Sequence, residues 1–572
     1  MMNFSKTKHI ELLQAELDFQ TFEFEKLLAK QAAKMFLDKQ LYICRYQGYD
    51  ETRGNIILRF DSNICLPPRK NENLQCFISR FQDQNVKQWG GITYKDLRSD
   101  CLSQFEAKTV FFNYESDHTI VGVSGIKEQD VSKFERNSLV FLGPTDPPLK
   151  YLMNLVEFVK NTSQESNPYL NISLDAPTWN PIPLNTSDPL LEIQTALIEK
   201  DTVIIQGPPG TGKTYLMSQI CNALIRANYR VLVTALTNRA LIELAEKEHL
   251  KVALEEGRVY KTSLTADEQK NKKIKGIKPL KNLKEQKPQL LLSTYYVMSQ
   301  IAIKAMEEDH FDYIIIEEAS QAFLSTIAMA RKLGKKCIII GDICQLEPII
   351  QKEYSIEDPN NFHWMICGLK SLSYFYRGSQ NYILTDSYRL TPNSVKATNV
   401  FYDGKLVSKS DAVLPINFRT GSLAAKLLNP NGGTSIKCIT MDNGILPSVD
   451  CISLITELIN DILAVNHKSE IAVLAFNRET VRTLQGKVLP NFKSNDILIE
   501  TIDRIQGMTV DYCFFVIPQE SIPFSIQANR FNVATSRARL CTLIIADNSI
   551  HKFITYDKKV KQYFDRILKI DE

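Results

Sequence analysis

Apolar residues recur in three rhythms along the chain, and each predicts a different architecture. From Phe4 to Lys39, the positions Leu12, Leu13, Leu17, Phe24, Leu27 and Leu28 return at roughly helical spacing among charges, which predicts an amphipathic helix. From Leu41 to Gly143 the runs QLYICRYQ, GNIILRF, LQCFISRF, KTVFFNYE, HTIVGVSG and NSLVFLG are short and rich in β-branched and aromatic residues. Turn-prone segments separate them, as in a small antiparallel barrel or sandwich. PTDPPLK then breaks the chain, a helix is expected from Tyr151 to Lys160, and a Pro/Asn-rich connector runs from Asn167 to Asp188. Beyond Asp201 the rhythm alternates. TVIIQ, VLVTA, QLLLS, YIIIE and CIIIG read as buried strands with helical segments between most of them, the pattern of a parallel sheet. It returns after Tyr382 in IAVLAF, ILIET, YCFFVI and CTLIIA, with helices expected around Pro447 to Val465 and Asn477 to Lys487.

The expected organisation is therefore a helical stalk (1–39), a β-rich barrel-like module (40–148), and two α/β domains (149–377 and 378–572). A Lys-rich insertion, about 250–288, interrupts the first α/β domain. Its segment Glu268 to Lys287 reads as solvated surface, with nucleic-acid contact as the other reading.

Composition adds limits. With 44% hydrophobic and 23% charged residues in 572, the chain can bury several cores. The net charge is only +3, from 68 basic and 65 acidic residues, so any binding of a phosphate backbone needs positive charge concentrated in grooves. The twelve cysteines, from Cys44 to Cys541, include no CxxC pair, and the seven histidines are not expected to form a metal-ligand cluster with them. Free thiols in a reducing compartment and no structural zinc are expected, which places the chain in the cytoplasm or, in a host that has one, the nucleus. No run of about 18 apolar residues exists, and Met1 to His9 is polar, so no membrane association is expected.

The sharpest chemical signal is GPPGTGKT, comprising Gly207, Pro208, Pro209, Gly210, Thr211, Gly212, Lys213 and Thr214, between an expected strand and a helix. Glycines let backbone N–H groups cradle phosphates, Lys213 supplies a point charge for the β/γ-phosphates, and the Thr214 hydroxyl suits Mg²⁺. Downstream, Glu317 and Glu318 end an apolar run, where two consecutive carboxylates can diverge towards a metal and an attacking water. Alone they read as a solvated strand end; a P-loop upstream favours chemistry. In GDICQLEP, Gln345 can bond both a γ-phosphate and the catalytic water, or the segment is a turn capped by Asp342. Arg389 in DSYRLTP and Arg537 in RFNVATSRAR are candidates to neutralise a transferring phosphoryl group from the side opposite the P-loop.

Taken in order, GPPGTGKT, IIIEEASQA, GDICQLEP, YRLTP, TIDRIQG and NVATSRAR resemble motifs I to VI of superfamily 1B helicases. The likeness is to the branch containing the nonsense-mediated-decay helicase, over about Leu184 to Asp547, with FYDGKL a further match. The resemblance implies two tandem RecA-like domains using ATP and Mg²⁺, with Glu317 on the metal and Glu318 as base. It implies Tyr388 stacked on adenine, Gln506 and Gly507 near the nucleotide, and Arg537 as arginine finger. Thr237, Asn238, Thr294, Asn477 and Thr501 correspond to strand-phosphate contacts. The implied activity is 5′ to 3′ movement along single-stranded DNA or RNA with duplex unwinding. The rival is a nucleic-acid-stimulated ATPase that clamps or remodels nucleoprotein, alone or as the motor of a larger repair or defence system with protein partners. Three departures stand out: Glu317 replaces the usual aspartate, Asp188 the adenine-reading glutamine, and Thr509 an acidic residue near the ribose.

Overall fold

The structure is a computed structural model that describes residues 5–569, apart from 71, 81–88, 164–165, 176, 178, 185–187, 263, 265–267, 269–273, 278–287, 306–310, 352–360, 412–417, 442–443 and 493–496. Most of the Glu268–Lys287 segment therefore lies outside the described residues, as does Phe4.

The six β-rich runs become six strands: β1 (Tyr42–Asp50), β2 (Asn55–Asp61), β3 (Asn73–Ile78), β4 (Ser103–Tyr114), β5 (His118–Ser124) and β6 (Leu139–Gly143). They pair antiparallel in the order β1-β2-β5-β4-β3-β6 and close into a barrel, which leaves no free edge. Alternate residues such as Ile56, Leu58 and Phe60 fill its interior.

The stalk is not one helix. It runs over Lys6–Leu28, stops, and resumes over Ala32–Leu37. At the break the Ala32 N–H donates to Ile92 O at 2.9 Å, so the loop beside the barrel takes a bond that a continuous helix would need. The long helix puts Leu12 and Leu13 into one core with Leu152, Leu155 and Val159 of the helix Leu149–Asn161 and the underside of the first sheet.

Among the described residues that sheet has nine strands: β7 (Ile182–Pro183), β8 (Thr202–Gln206), β9 (Val231–Ala235), β10 (Val259–Lys261), β11 (Lys275–Gly276), β12 (Leu290–Thr294), β13 (Phe311–Ile316), β14 (Gly334–Gly341) and β15 (Ser379–Ile383). All pairs are parallel, in the order β11-β10-β12-β9-β13-β14-β8-β15-β7. Helices cover both faces, which is why its central strands carry runs of Val, Ile and Leu. Because β15 pairs with β8, the first domain runs past the boundary expected at residue 377.

A short pair, β16 (Asp386–Ser387) and β17 (Val407–Ser408), leads into a second parallel sheet. Its strands are β18 (Gly433–Ile439), β19 (Ile471–Ala475), β20 (Ile497–Thr501), β21 (Val510–Ile517), β22 (Ala538–Asp547) and β23 (Leu568–Lys569), in the order β20-β19-β21-β22-β18-β23. The barrel leans on this second domain: Arg482 donates to Lys39 O at 3.0 Å and to the Tyr42 hydroxyl. All twelve cysteines are unpaired. Among the described residues, no helix is long and apolar enough to cross a membrane.

Candidate nucleotide cleft and nucleic-acid edge

Strands β13, β14 and β8 are neighbours, and each delivers a different group at its carboxyl end. From β8 the chain turns through Gly210 (φ 74°) and Gly212 (φ 79°) into the helix Lys213–Arg226. A loop of this kind ahead of a helix N-terminus favours an anion. Lys213 Nζ donates to Gly207 O at 2.6 Å and Pro208 O at 3.3 Å. Burial lowers this ammonium to about 8, with Asp342 opposing and Arg389 and Arg537 reinforcing the shift.

After β13 stand the two carboxylates. Thr214 Oγ1 donates to Glu317 Oε1 at 3.0 Å, while Glu317 Oε2 is buried without a partner. Burial, then the neighbouring Glu318, holds Glu317 well above the usual carboxylate range. A hydroxyl beside a carboxylate with a vacant buried oxygen fits a hard divalent cation. Glu318 has φ 52°, a left-handed backbone that costs a non-glycine residue about 1–3 kcal/mol and clusters at functional sites. Burial and Glu243 raise its carboxyl to about 7. That value suits a group that must take up and release a proton near neutrality.

After β14, Asp342 collects four donors. Gln206 Nε2 at 2.6 Å and the Cys344 N–H at 3.0 Å reach Oδ1; Gln345 Nε2 and the Tyr402 hydroxyl, each at 2.7 Å, reach Oδ2. Asp342 thus caps the turn and also orients Gln345.

The facing wall comes from the second domain. Arg389 Nη1 donates to Ser536 O at 3.2 Å; Arg537 donates through Nε to Val533 O at 2.8 Å and through Nη2 to Ser536 Oγ at 3.0 Å. Burial drives Arg389 down to about 9 and Arg537 to about 10. Among the described residues neither guanidinium has an ion-pair partner, and both line one cleft of about 400 Å³ with Lys213, Glu317, Glu318 and Gln345. A Cβ on Gly210 would lie 2.4 Å from Arg389 Cβ, so only glycine lets that arginine stand against the P-loop. The Tyr388 N–H donates to Gly210 O at 2.9 Å, and its ring is 62% exposed at the cleft mouth. Pro209, Thr211, Gly212, Thr214 and Thr509 line the cleft too; so do Gln506, whose Oε1 is buried without a partner, and Gly507, beside Glu318. Asp188 instead caps the helix Pro189–Glu199 through the Leu191 N–H at 3.1 Å. Among the cleft residues without a sequence signal are Arg239 and Glu243, at i,i+4 spacing on the helix Asn238–Ala245.

The five residues matched to strand contacts all stand at carboxyl ends of strands. Thr237 and Asn238 follow β9, and Thr294 ends the adjacent β12; Asn477 follows β19, and Thr501 ends the adjacent β20. Thr237 and Thr294 each cap a helix, accepting from Ala240 N and Val297 N. Thr501 is buried, so less of it than of Asn477 faces solvent. Nearby, Lys108 of the barrel has its charge disfavoured by burial, then by Arg504 of the second domain and Arg239 of the first. Three modules thus bring cations to one junction, where the Glu500 carboxylate offsets them in part.

A P-loop, paired carboxylates and facing arginines between two parallel sheets define a P-loop NTPase with tandem RecA-like domains. Two families, each described as an AAA domain, match residues 191–351 and 370–549. Helicase sen1 of Schizosaccharomyces pombe is 30% identical over 267 residues, 42% of this chain and 15% of that protein. The helicase/nuclease DNA2 of Gallus gallus is 25% identical over 61% of this chain and 34% of its own length. DNA polymerase alpha-associated DNA helicase A of Saccharomyces cerevisiae is 22% identical over 82% of this chain and 80% of its length. A crystal structure of arterivirus nonstructural protein 10 (helicase) aligns at 11% identity and a TM-score of 0.37, covering 86% of this chain and 79% of that one. The two domain matches and these relatives support a superfamily 1B helicase.

Proposed function

We propose that the chain is an ATP-hydrolysing motor that moves along single-stranded nucleic acid and unwinds duplexes. The observation that carries this is the pair Arg389 and Arg537, from one domain, facing Lys213 of the other across a single cleft. A triphosphate would be held from both sides, so its presence favours closure and its hydrolysis favours opening. Thr214 and Glu317 would hold Mg²⁺, which supplies charge neutralisation at the phosphates. Glu318 takes the proton of the attacking water, Gln345 positions that water, and the arginines stabilise charge on the transferring group. Tyr388, exposed at the mouth, offers its ring to the base.

The single strand lies across both sheets at Thr237, Asn238, Thr294, Asn477 and Thr501, gripped by its phosphates and therefore with weak sequence preference. Lys108, Arg239 and Arg504 add charge beside that path. Movement 5′ to 3′ follows from the family, and unpaired thiols suit the cytoplasm or nucleus. Displacement of a labelled strand from partial duplexes tests the reading. ATP-dependent release from a 5′-tailed but not a 3′-tailed duplex is expected; hydrolysis without release on either would instead indicate a clamping ATPase.

A further inference from the structure

Three ligand-type side chains converge beyond the glutamine that faces the nucleotide cleft. Glu347 ends the GDICQLEP loop, His363 lies in the helix Phe362–Ile366, and Cys367 stands at the joint with the helix Gly368–Phe375. One donor atom from each lies within 4.8 Å of the others. Cys367 Sγ is 3.9 Å from His363 Nδ1. The i,i+4 relation puts His363 and Cys367 on one side of the turn, fixed by the Cys367 N–H donating to His363 O at 2.9 Å.

Ordinary packing leaves part of this cluster unexplained. Glu347 has Lys370 Nζ at 3.6 Å and Asn529 Nδ2 at 3.4 Å. His363, though only 8% exposed, leaves Nε2 without any partner. A buried imidazole with an unmet polar atom beside a buried thiol and a carboxylate is a costly arrangement for a core. The same three groups are the donor set that zinc prefers. Zinc bonds of about 2.0–2.3 Å place tetrahedral donors roughly 3.3–3.8 Å apart, so modest side-chain rotation closes this cluster onto an ion.

We propose that Glu347, His363 and Cys367 form a three-ligand site for a divalent transition ion, zinc foremost, with the fourth position left to water. On binding, Cys367 gives up its thiol proton to solvent and coordinates as thiolate. Glu347 is drawn towards the ion and away from Asn529, a residue of the second domain. The site therefore couples metal occupancy to a contact between the Gln345 loop and that domain.

The test is metal uptake by the full chain, first stripped with a chelator. Zinc titrated against a colorimetric competitor should bind tightly at one equivalent, and cobalt in its place should give a thiolate charge-transfer band. Cys367→Ser should abolish the band. His363→Ala and Glu347→Gln should each weaken zinc at least as much as the ~10–100-fold that losing an outer-shell partner costs. If either buried change unfolds the protein, as read by circular dichroism, the part-exposed Glu347→Gln carries the comparison. The proposal is overturned if the folded wild-type chain takes up no stoichiometric zinc, or if the folded variants bind it as tightly as wild type.

Discussion

The Tyr402 hydroxyl lies 2.7 Å from Asp342 Oδ2, so a residue of the second domain grips the same carboxylate that orients Gln345 in the first. Asn532 Nδ2, on the helix Ala528–Thr535 that leads to Arg537, donates to the same hydroxyl at 2.7 Å and to Cys344 O at 2.8 Å. A continuous chain of bonds thus joins the Gln345 loop to the helix that leads to Arg537. Replacing Tyr402 by Phe breaks the middle of that chain and leaves buried acceptor and donor groups short of a partner. The expected result is a loss of about 1–3 kcal/mol in a denaturant melt. A drop of about fivefold or more in stimulation of hydrolysis by single strands should accompany it, with nucleotide binding retained. Unchanged stimulation would show that the domains communicate elsewhere.

Glu318 lines the cleft with its carboxyl raised to about 7 by burial, while Glu317 Oε1 accepts from Thr214. Glu318→Gln should bind ATP near normally and hydrolyse it about 10²–10⁴-fold more slowly. Single-turnover phosphate release beside equilibrium nucleotide binding separates the two quantities. Near-normal turnover would remove Glu318 from the mechanism.

Arg389 and Arg537 have only neutral hydrogen-bond partners, so their charge awaits an anion. Arg389→Ala and Arg537→Ala should each lower kcat by about 10³-fold or more. Because both act on one phosphoryl group, the double variant should lose far less than the product of the two. Full additivity in steady-state kinetics would mean that they serve separate steps.

The free protein's acid limb belongs to Glu318, raised to about 7 by burial, and its alkaline limb to Lys213, lowered to about 8 by burial. Glu318 works ionised, so kcat/KM should rise with pH through about 7. Lys213 works protonated, so it should fall again above about 8. A profile flat from about pH 6 to about pH 9 would contradict both assignments.

Local chemistry explains what the sequence made readable. GPPGTGKT and the paired glutamates are contiguous, and each follows an apolar run that announces a strand, so Lys213, Glu317 and Glu318 stand out in the sequence as candidates. The six barrel strands were equally plain, because alternation with turn residues is a local signal. What escaped depends on distant packing. Arg239 and Glu243 look like surface charges on a helix until that helix is placed over the P-loop. The stalk's break at residues 29–31 is set by a bond to Ile92 that no periodicity reports. The first domain's end hides in β15, whose SQNYI carries polar residues because it lies towards the sheet's edge, next to the two-residue β7. Asp188 filled an adenine-reading position by resemblance, yet its carboxylate is occupied in capping.

Phosphate release by the purified chain, with and without saturating single-stranded DNA or RNA, probes the two-sided cleft most directly. Strand binding across both domains should favour closure and raise hydrolysis at least about tenfold, and Arg537→Ala should abolish the rise. A rate that no polymer changes, or a stimulated rate that survives loss of Arg537, would contradict it.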